Sequence, residues 1–423
     1  MKRSKMLATL ALSAAIGLGV YLASPVPAAT MAPTDPIGVI TIGPGQPITI
    51  AWWLVVSGAD GTLGTDSRRG IEIAIDDKHG MLLGHPIKLV GEDSGCNPEG
   101  GTTAATKVAA NTDVVVAIGS SCSSEAVPGA PILWKAGIAT VSPSNTAPKL
   151  TDPNRGPDYD GYLRTAHNDL IQGKVGATFV RTQLKNVKTA ATIHDGSPYA
   201  QGLAAAFADN FTKQGGKIVA QEAVGRDDTD MHPVLTRIAS TKPDLIYFPI
   251  FVAAGGFITR QAKEISGLAN VTLMGADGLL TPDFLKAAGD SAIGMYQSSP
   301  DLTPDAMGAD YSKVFIPKYK AKYGELPIAG FHAHAYDAAN VVFLAITKVA
   351  KSDGGTLYIG RKALRDALFA TKGYHGLTGI ITCNQYGDCA DPHIAVYQIV
   401  SSDPASWDVG KNPKKIYPVG KKM

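Results

Sequence analysis

Two short apolar runs in the first third of the chain each end in a cluster of small hydroxyls. Asp113–Gly119 runs into Ser120, Ser121, Cys122, Ser123 and Ser124, and Gly137–Val141 runs into Ser142, Ser144 and Thr146. Hydroxyls that end a strand and open a helix form an anion-binding corner. The first N–H groups of such a helix lack intrahelical acceptors, and the helix dipole adds positive potential there. The stretch from Glu92 to Thr151 therefore reads as a receptor for a small anionic group such as a carboxylate.

No bond-making machinery accompanies it. The sequence has no GxxxxGK[ST], no HExxH and no GxSxG, and the glycines of SGADGTLG lack dinucleotide-binding spacing. His332 and His334 stand two apart on an expected helix, so they point to different faces and are read as surface or capping residues. Asp76 and Asp77 read as a solvated helix face. No cofactor and no metal site is expected, and the chain reads as a binder, not an enzyme.

The elements that must hold the corner alternate strand and helix. Ile48–Val56 reads as a strand, Ser57–Gly64 as a glycine turn and Arg69–Lys78 as a helix. Pro86–Glu92 is a strand, Glu99–Ala110 a helix, Asp113–Gly119 a strand, and Glu125–Ala136 a helix whose regular part Pro128 delays. The continuous apolar run 113–119 suits a parallel strand covered on both faces. The same alternation restarts after a Pro- and Asp-rich loop and runs from Leu170 to Ala288, which gives an α/β chain with doubly wound parallel sheets. Helices follow at 310–323, kinked by Pro317, at 331–350 and at 361–370. Leu377–Thr382 and Ile394–Val400 read as a terminal hairpin joined by CNQYGDC.

A chain of 423 residues is too long for one ordinary core, so two domains are expected. With 39 basic and 37 acidic residues it lacks the basic excess of a nucleic-acid binder. Lys2, Arg3 and Lys5 precede an apolar run to Ala23 and then SPVPAA, the pattern of a signal peptide over 1–29 cleaved after Ala28 or Ala29; a retained membrane anchor is the other reading. Residues 30–46 read as a flexible leader and 403–423 as a solvated basic tail. Export makes the four cysteines, Cys96 with Cys122 and Cys383 with Cys389, candidates for disulfides.

The order and spacing of several motifs resemble the periplasmic branched-chain amino-acid-binding proteins, the solute receptors of ABC importers. Ser57-Gly58 follows the first strand. Asp93, Cys96, Asn97 and Pro98 form one family turn, and Gly119, Cys122, Ser123 and Ser124 form another. Pro143, Thr146, Pro148, Leu150 and Thr151 match a further segment. LRT at 163–165, His194-Asp195 with Tyr199, RQA at 260–262, and Met274, Gly275 and Gly278 extend the likeness over about residues 48–400.

The resemblance implies the type I periplasmic-binding-protein fold, with two doubly wound parallel-sheet lobes joined by three crossovers. These would lie near Thr165–Asn168, Ser298–Pro300 and Leu377–Ile380. One lobe would comprise 47–165 with 299–378, the other 166–298 with 379–402. A Cys96–Cys122 bridge is implied as well. Ser123, Ser144 through its backbone, and Thr146 would hold a ligand carboxylate, beside Ser121. Asp277, where the family usually has Glu, would meet an ammonium. Tyr199, Phe251 and Phe331 would wall the ligand side chain. Leu63 replaces a frequent aromatic and Phe251 a frequent Tyr, while Trp52 and Trp53 stand where smaller aliphatics are usual. The frame for a small amino-acid-like ligand is thus kept and the side-chain wall is changed, which leaves branched-chain, aromatic or polar amino acids and amide- or urea-like solutes open. The implied partner is an ABC permease, and the implied form an extracytoplasmic monomer. A ligand-sensing domain of a signalling receptor and an extracytoplasmic hydrolase are the rival classes; the latter needs a nucleophile–base pair that the sequence does not offer.

Overall fold

The computed structural model describes Met1 and residues 33–418. The signal-peptide reading therefore lies outside the described residues. Strand β1 (Val39–Ile42) precedes β2 (Ile48–Leu54), α1 (Gly61–Asp76), β3 (Met81–Leu82), β4 (His85–Asp93) and α2 (Pro98–Ala110). Next come β5 (Val114–Gly119), α3 (Ser123–Lys135), β6 (Thr140–Ser142) and β7 (Tyr162–Arg164). The alternation resumes with α4 (Asp169–Gln183), β8 (Thr189–His194), α5 (Pro198–Lys213), β9 (Lys217–Ala223) and α6 (His232–Ser240). It continues through β10 (Leu245–Tyr247), α7 (Val252–Glu264), β11 (Thr272–Ala276), α8 (Pro282–Ala288) and β12 (Tyr296–Pro300). Then follow α9 (Pro304–Asp310), α10 (Ile316–Tyr323), α11 (His332–Val349), β13 (Lys351–Asp353), β14 (Thr356–Gly360) and α12 (Arg361–Phe369). The last strands are β15 (Tyr374–Gly376), β16 (Gly379–Ile381), β17 (Ile394–Gln398) and β18 (Lys414–Tyr417).

Two sheets organise these elements. One runs β3-β4-β2-β5-β6-β7 and the other β18-β17-β12-β11-β10-β8-β9. In both, the five parallel strands follow the chain order second, first, third, fourth, fifth, so each is doubly wound with a switch point beside its first strand. Fully buried β5, VVVAIG, shows why: β-branched residues on both faces suit a strand covered by helices on both sides. One core cluster packs the first sheet against α1 and α11, another packs it against α2 and α3. A third fills the second unit and reaches Val55, Cys96 and Cys122 of the first. No helix among the described residues is long and apolar enough to cross a membrane.

Several local expectations differ from the structure. Helix α1 starts at Gly61, inside the expected glycine turn. Its glycines let it press on the end of β2; a Cβ at Gly64 would fall 1.9 Å from the Val55 carbonyl oxygen. Helix α3 starts at Ser123 and carries Pro128 and Pro131 within it, so Pro128 forfeits a backbone bond without delaying the helix. The irregularity near Pro317 lies before it, in a π-helical turn at 311–315 after a non-helical Gly308.

The expected terminal hairpin does not form. β16 pairs with β15, while β17 joins β12 in the seven-stranded sheet. The CNQYGDC loop instead turns Asp388 onto fully buried Arg164, 2.5 Å away. The segment read as a flexible leader contains β1, which pairs with β14; its VITI alternation is masked by flanking Pro and Gly. The basic tail likewise contributes β18 to the seven-stranded sheet, with Lys415 2.5 Å from Asp301 and Trp407 donating to the Pro327 carbonyl. His332 and His334 are buried, not at the surface. His332 lies between Asp66 and Tyr311, 2.8 Å from each, and His334 packs beside Phe331.

Candidate functional site

The carboxyl ends of both sheets face one cavity. Leu63 follows β2, Ser121, Cys122 and Ser123 follow β5, and Ser144 and Thr146 follow β6. From the other unit come Tyr199 after β8, Phe251 after β10, and Asp277 and Gly278 after β11, while Phe331, ahead of α11, comes from the first. Ligands of open α/β sheets lie at such strand ends, beside the switch point. Counted together with the solvent at its mouth, the space between these residues is about 330 Å³. All nine residues expected from the sequence to contact a ligand line it. Trp52 and Trp53 do not; Trp53 is buried in the core under β5 and donates to Thr140 Oγ1 at 3.0 Å.

The hydroxyl corner presents free donors. Ser123 Oγ accepts from Ala147 N at 3.2 Å and Ser121 Oγ from Val55 N at 3.1 Å, so each hydroxyl hydrogen is left for the cavity. Ser144 spends its own hydroxyl on the Ser121 carbonyl, 2.9 Å away, and so faces the cavity through other atoms. α3 opens at Ser123 and brings its positive end to the same place. Gly119 has φ +140 at the end of β5, a region closed to most side chains, and a Cβ there would fall 2.4 Å from the Trp53 carbonyl.

Beneath the corner, the expected Cys96–Cys122 disulfide is formed, as is Cys383–Cys389. Fully buried Glu125 accepts from Ser94 Oγ at 2.7 Å and from the N–H groups of Cys96 and Cys122 at 2.6 and 2.8 Å. It therefore grips both ends of the bridge. Burial pushes its carboxyl up to about 7 against these hydrogen bonds. Sequence reasoning placed Glu125 on a helix and gave it no role.

The opposite wall is acidic. Asp277 Oδ1 accepts from Gln172 Nε2 at 2.6 Å and from Tyr199 Oη at 3.3 Å, which leaves Oδ2 without a side-chain donor. Burial raises the Asp277 carboxyl to about 6, while the Gln172 and Tyr199 hydrogen bonds pull it down. Asp169, behind Thr146, is buried with neither carboxylate oxygen bonded, and burial followed by the charge of Asp277 raises it well above the usual range. Among the described residues, no lysine or arginine lines the cavity. Gln172 and Asp169 were absent from the expected set. Nothing in their spacing points to Asp277, about a hundred residues on.

Across the rim, Arg226 from the loop after β9 reaches Asp60 at the start of α1 and also donates to the Cys96 carbonyl. Its guanidinium stacks 4.5 Å above the Phe251 ring. Thr62 donates to Asp283 across the same boundary. The arrangement can hold a small zwitterion, with an anion at the hydroxyls, a cation at Asp277, and an apolar group between Leu63, Tyr199, Phe251 and Phe331.

Residues 47–403 match the family model described as periplasmic binding protein. A Leu/Ile/Val-binding protein of Rhizobium johnstonii is 29% identical over 366 residues, covering 86% of this chain and 92% of the relative. A leucine-, isoleucine-, valine-, threonine- and alanine-binding protein of Pseudomonas aeruginosa is 29% identical over 346 residues, 81% of this chain and 87% of its own. Among solved structures, a leucine-binding protein of Thermotoga maritima superposes with a TM-score of 0.73 at 26% identity, over 84% of this chain and 96% of that one. A branched-chain amino acid transporter substrate-binding protein of Streptococcus pneumoniae, in complex with isoleucine, gives 0.73 at 26%, over 84% and 97%.

Proposed function

The chain belongs to the periplasmic binding protein family, and from that premise we propose that it captures a free α-amino acid, branched-chain or of similar size, and delivers it to the permease of an ABC importer. One observation carries the reading. The cavity sets free serine hydroxyls and a helix N-terminus opposite a buried carboxylate that has no lysine or arginine beside it along the lining. A ligand that brings both a carboxylate and an ammonium satisfies both ends at once.

Ser121, Ser123 and the opening of α3 take the carboxylate, and Asp277 with Tyr199 takes the ammonium. Leu63, Phe251 and Phe331 wall the side chain. Because the contacts come from both sheets, all of them exist only when the two units are closed together, so ligand shifts the population to the closed form. The units divide at the chain segments near Thr165–Asn168, Ser298–Pro300 and Leu377–Ile380, and motion about these opens the cleft. No bond is made or broken. The protein works outside the cytoplasm as a monomer and presents its closed form to the permease.

A thermal-shift screen of ligand-stripped protein against α-amino acids, amides and short carboxylic acids tests this. Stabilisation by leucine, isoleucine or valine that is absent in Asp277→Ala and Ser123→Ala supports it. Stabilisation only by solutes lacking an ammonium overturns it.

A further inference from the structure

Gln172 stands one helical turn into α4 and touches none of the cavity itself, yet it bonds to three parts of the molecule at once. Its amide nitrogen faces Asp277 Oδ1 at 2.6 Å, the Ser298 carbonyl at 3.0 Å and Ser298 Oγ at 3.2 Å. The two polar contacts to Asp277 and the Ser298 carbonyl can only accept, so the nitrogen must face them, and Gln172 Oε1 must point the other way. There it meets His167 Nε2 at 2.5 Å. His167 must then carry its proton on Nε2. Its Nδ1 is buried without a partner, and burial keeps the ring neutral, down to about 4. The direction of the chain is thereby fixed: His167 donates to Gln172, and Gln172 donates to Asp277.

The two ends of this chain sit where the sheets are joined. Ser298 is on β12 and His167 lies between β7 and α4. His167 also stacks on Phe331, with ring centroids 6.0 Å apart and planes 15° apart, on the far wall of the cavity. Asp277 is faced by Asp169 from α4, Tyr199 from α5 and Tyr247 from β10. None of these groups brings a positive charge, and the charge of Asp277 helps keep Asp169 protonated. The amide of Gln172 is the shortest donor to Asp277, and it is fully buried.

We propose that Gln172 is a positioning residue: it holds Asp277 ionised with one oxygen free for the cleft, and it ties that acid to the two connecting segments through His167 and Ser298. A neutral donor to a carboxylate stabilises the charged form and aims it. With the donor gone, Asp277 takes up a proton at higher pH and no longer presents an anion. The ammonium role of Asp277 comes from the proposed function, and the carboxyl titration below does not depend on it.

The test follows the Asp277 carboxyl by 13C NMR in ligand-free protein, its signal assigned by its loss in Asp277→Asn. In Gln172→Met, which keeps length and bulk, the titration midpoint moves up by about one pH unit. In His167→Phe, which keeps the stack on Phe331 but not the N–H, it moves up by less. Midpoints that match the unaltered protein in both variants overturn the proposal. A second arm titrates L-leucine calorimetrically at pH 6 and pH 8. Gln172→Met loses about fivefold more affinity at pH 6 than at pH 8 if the donor acts through ionisation. An equal loss at both pH values, with an unmoved carboxyl, marks a merely structural residue and also overturns it. Should the unaltered protein bind neither leucine nor any other α-amino acid, the proposed function fails, and the carboxyl titration still decides the role of Gln172.

Discussion

Arg226 Nη2 lies 2.5 Å from Asp60 Oδ2, a bond that runs from the seven-stranded unit to the six-stranded one. Asp60 is nearly buried and Arg226 about a quarter exposed, so the pair is shielded more than a surface bridge. Because it spans the rim and not the ligand, under the proposed closure it would act on the lifetime of the closed form. Arg226→Ala is expected to speed leucine dissociation about three- to tenfold in stopped-flow fluorescence, with a smaller change in the association rate. An unchanged dissociation rate would show that the rim contact does not hold the cleft shut.

Among the described residues, Asp277 is the only charged one that lines the cavity, and Asp277→Asn removes that charge. Deleting one member of a buried, hydrogen-bonded ion pair costs about 2–5 kcal/mol. Leucine affinity in calorimetry should therefore fall at least about thirtyfold. 4-Methylpentanoate, which keeps the carboxylate and the isobutyl group but has no ammonium, should bind the variant no worse than the unaltered protein. Equal losses for both compounds would contradict the ammonium role.

With both units walling the cavity, burial raises the Asp277 carboxyl to about 6. An ammonium beside it favours the anion, so ligand and proton compete for the site. Affinity for α-amino acids should hold above pH 7 and decline as pH falls through 6, by up to about tenfold per pH unit, and Asp277→Asn should flatten the profile. The sign for stability is the reverse. A carboxyl raised above its unfolded value binds more protons when folded, so this group's share of ligand-free stability falls as pH rises from 3.8 to about 6. Bound leucine should remove that decline in thermal melts.

The two disulfides differ in what they hold. Cys96–Cys122 spans 26 residues, and Cys383–Cys389 spans six. On chain-entropy grounds, replacing the first pair with serine should cost about 1 kcal/mol more than replacing the second. Only the first should weaken leucine binding, because Glu125 links it to the hydroxyl corner. Urea unfolding paired with calorimetry separates the two effects. A second-pair variant that binds as poorly as the first would refute the assignment.

Local signals in the sequence were enough for the alternating core. The apolar run of β5 and the hydroxyls after it are contiguous, so the strand, the helix start and half of the site could be read from one stretch. The other half became legible only through the family motifs, because Tyr199, Phe251, Asp277 and Phe331 meet across long separations. Gln172, Glu125 and Arg226 escaped notice because each acts through a partner far along the chain or through its backbone neighbours. The terminal strands failed for a related reason. β17 and β18 are edge additions to a sheet formed mostly by earlier residues, and a hairpin was the nearest local partner for the same pattern.

Among the described residues no countercharge lines the cavity at Asp277, and this bears on fidelity. A cleft that shut on nothing would seal a carboxylate away from water with the neutral donors Gln172 and Tyr199 bonded to it, or force it to take a proton. On the proposed function, empty closure would thus be disfavoured by the same residue that rewards a filled one. A permease that responds to the closed shape would rarely be triggered by vacant protein, and ATP hydrolysis would stay coupled to cargo without any separate proofreading step.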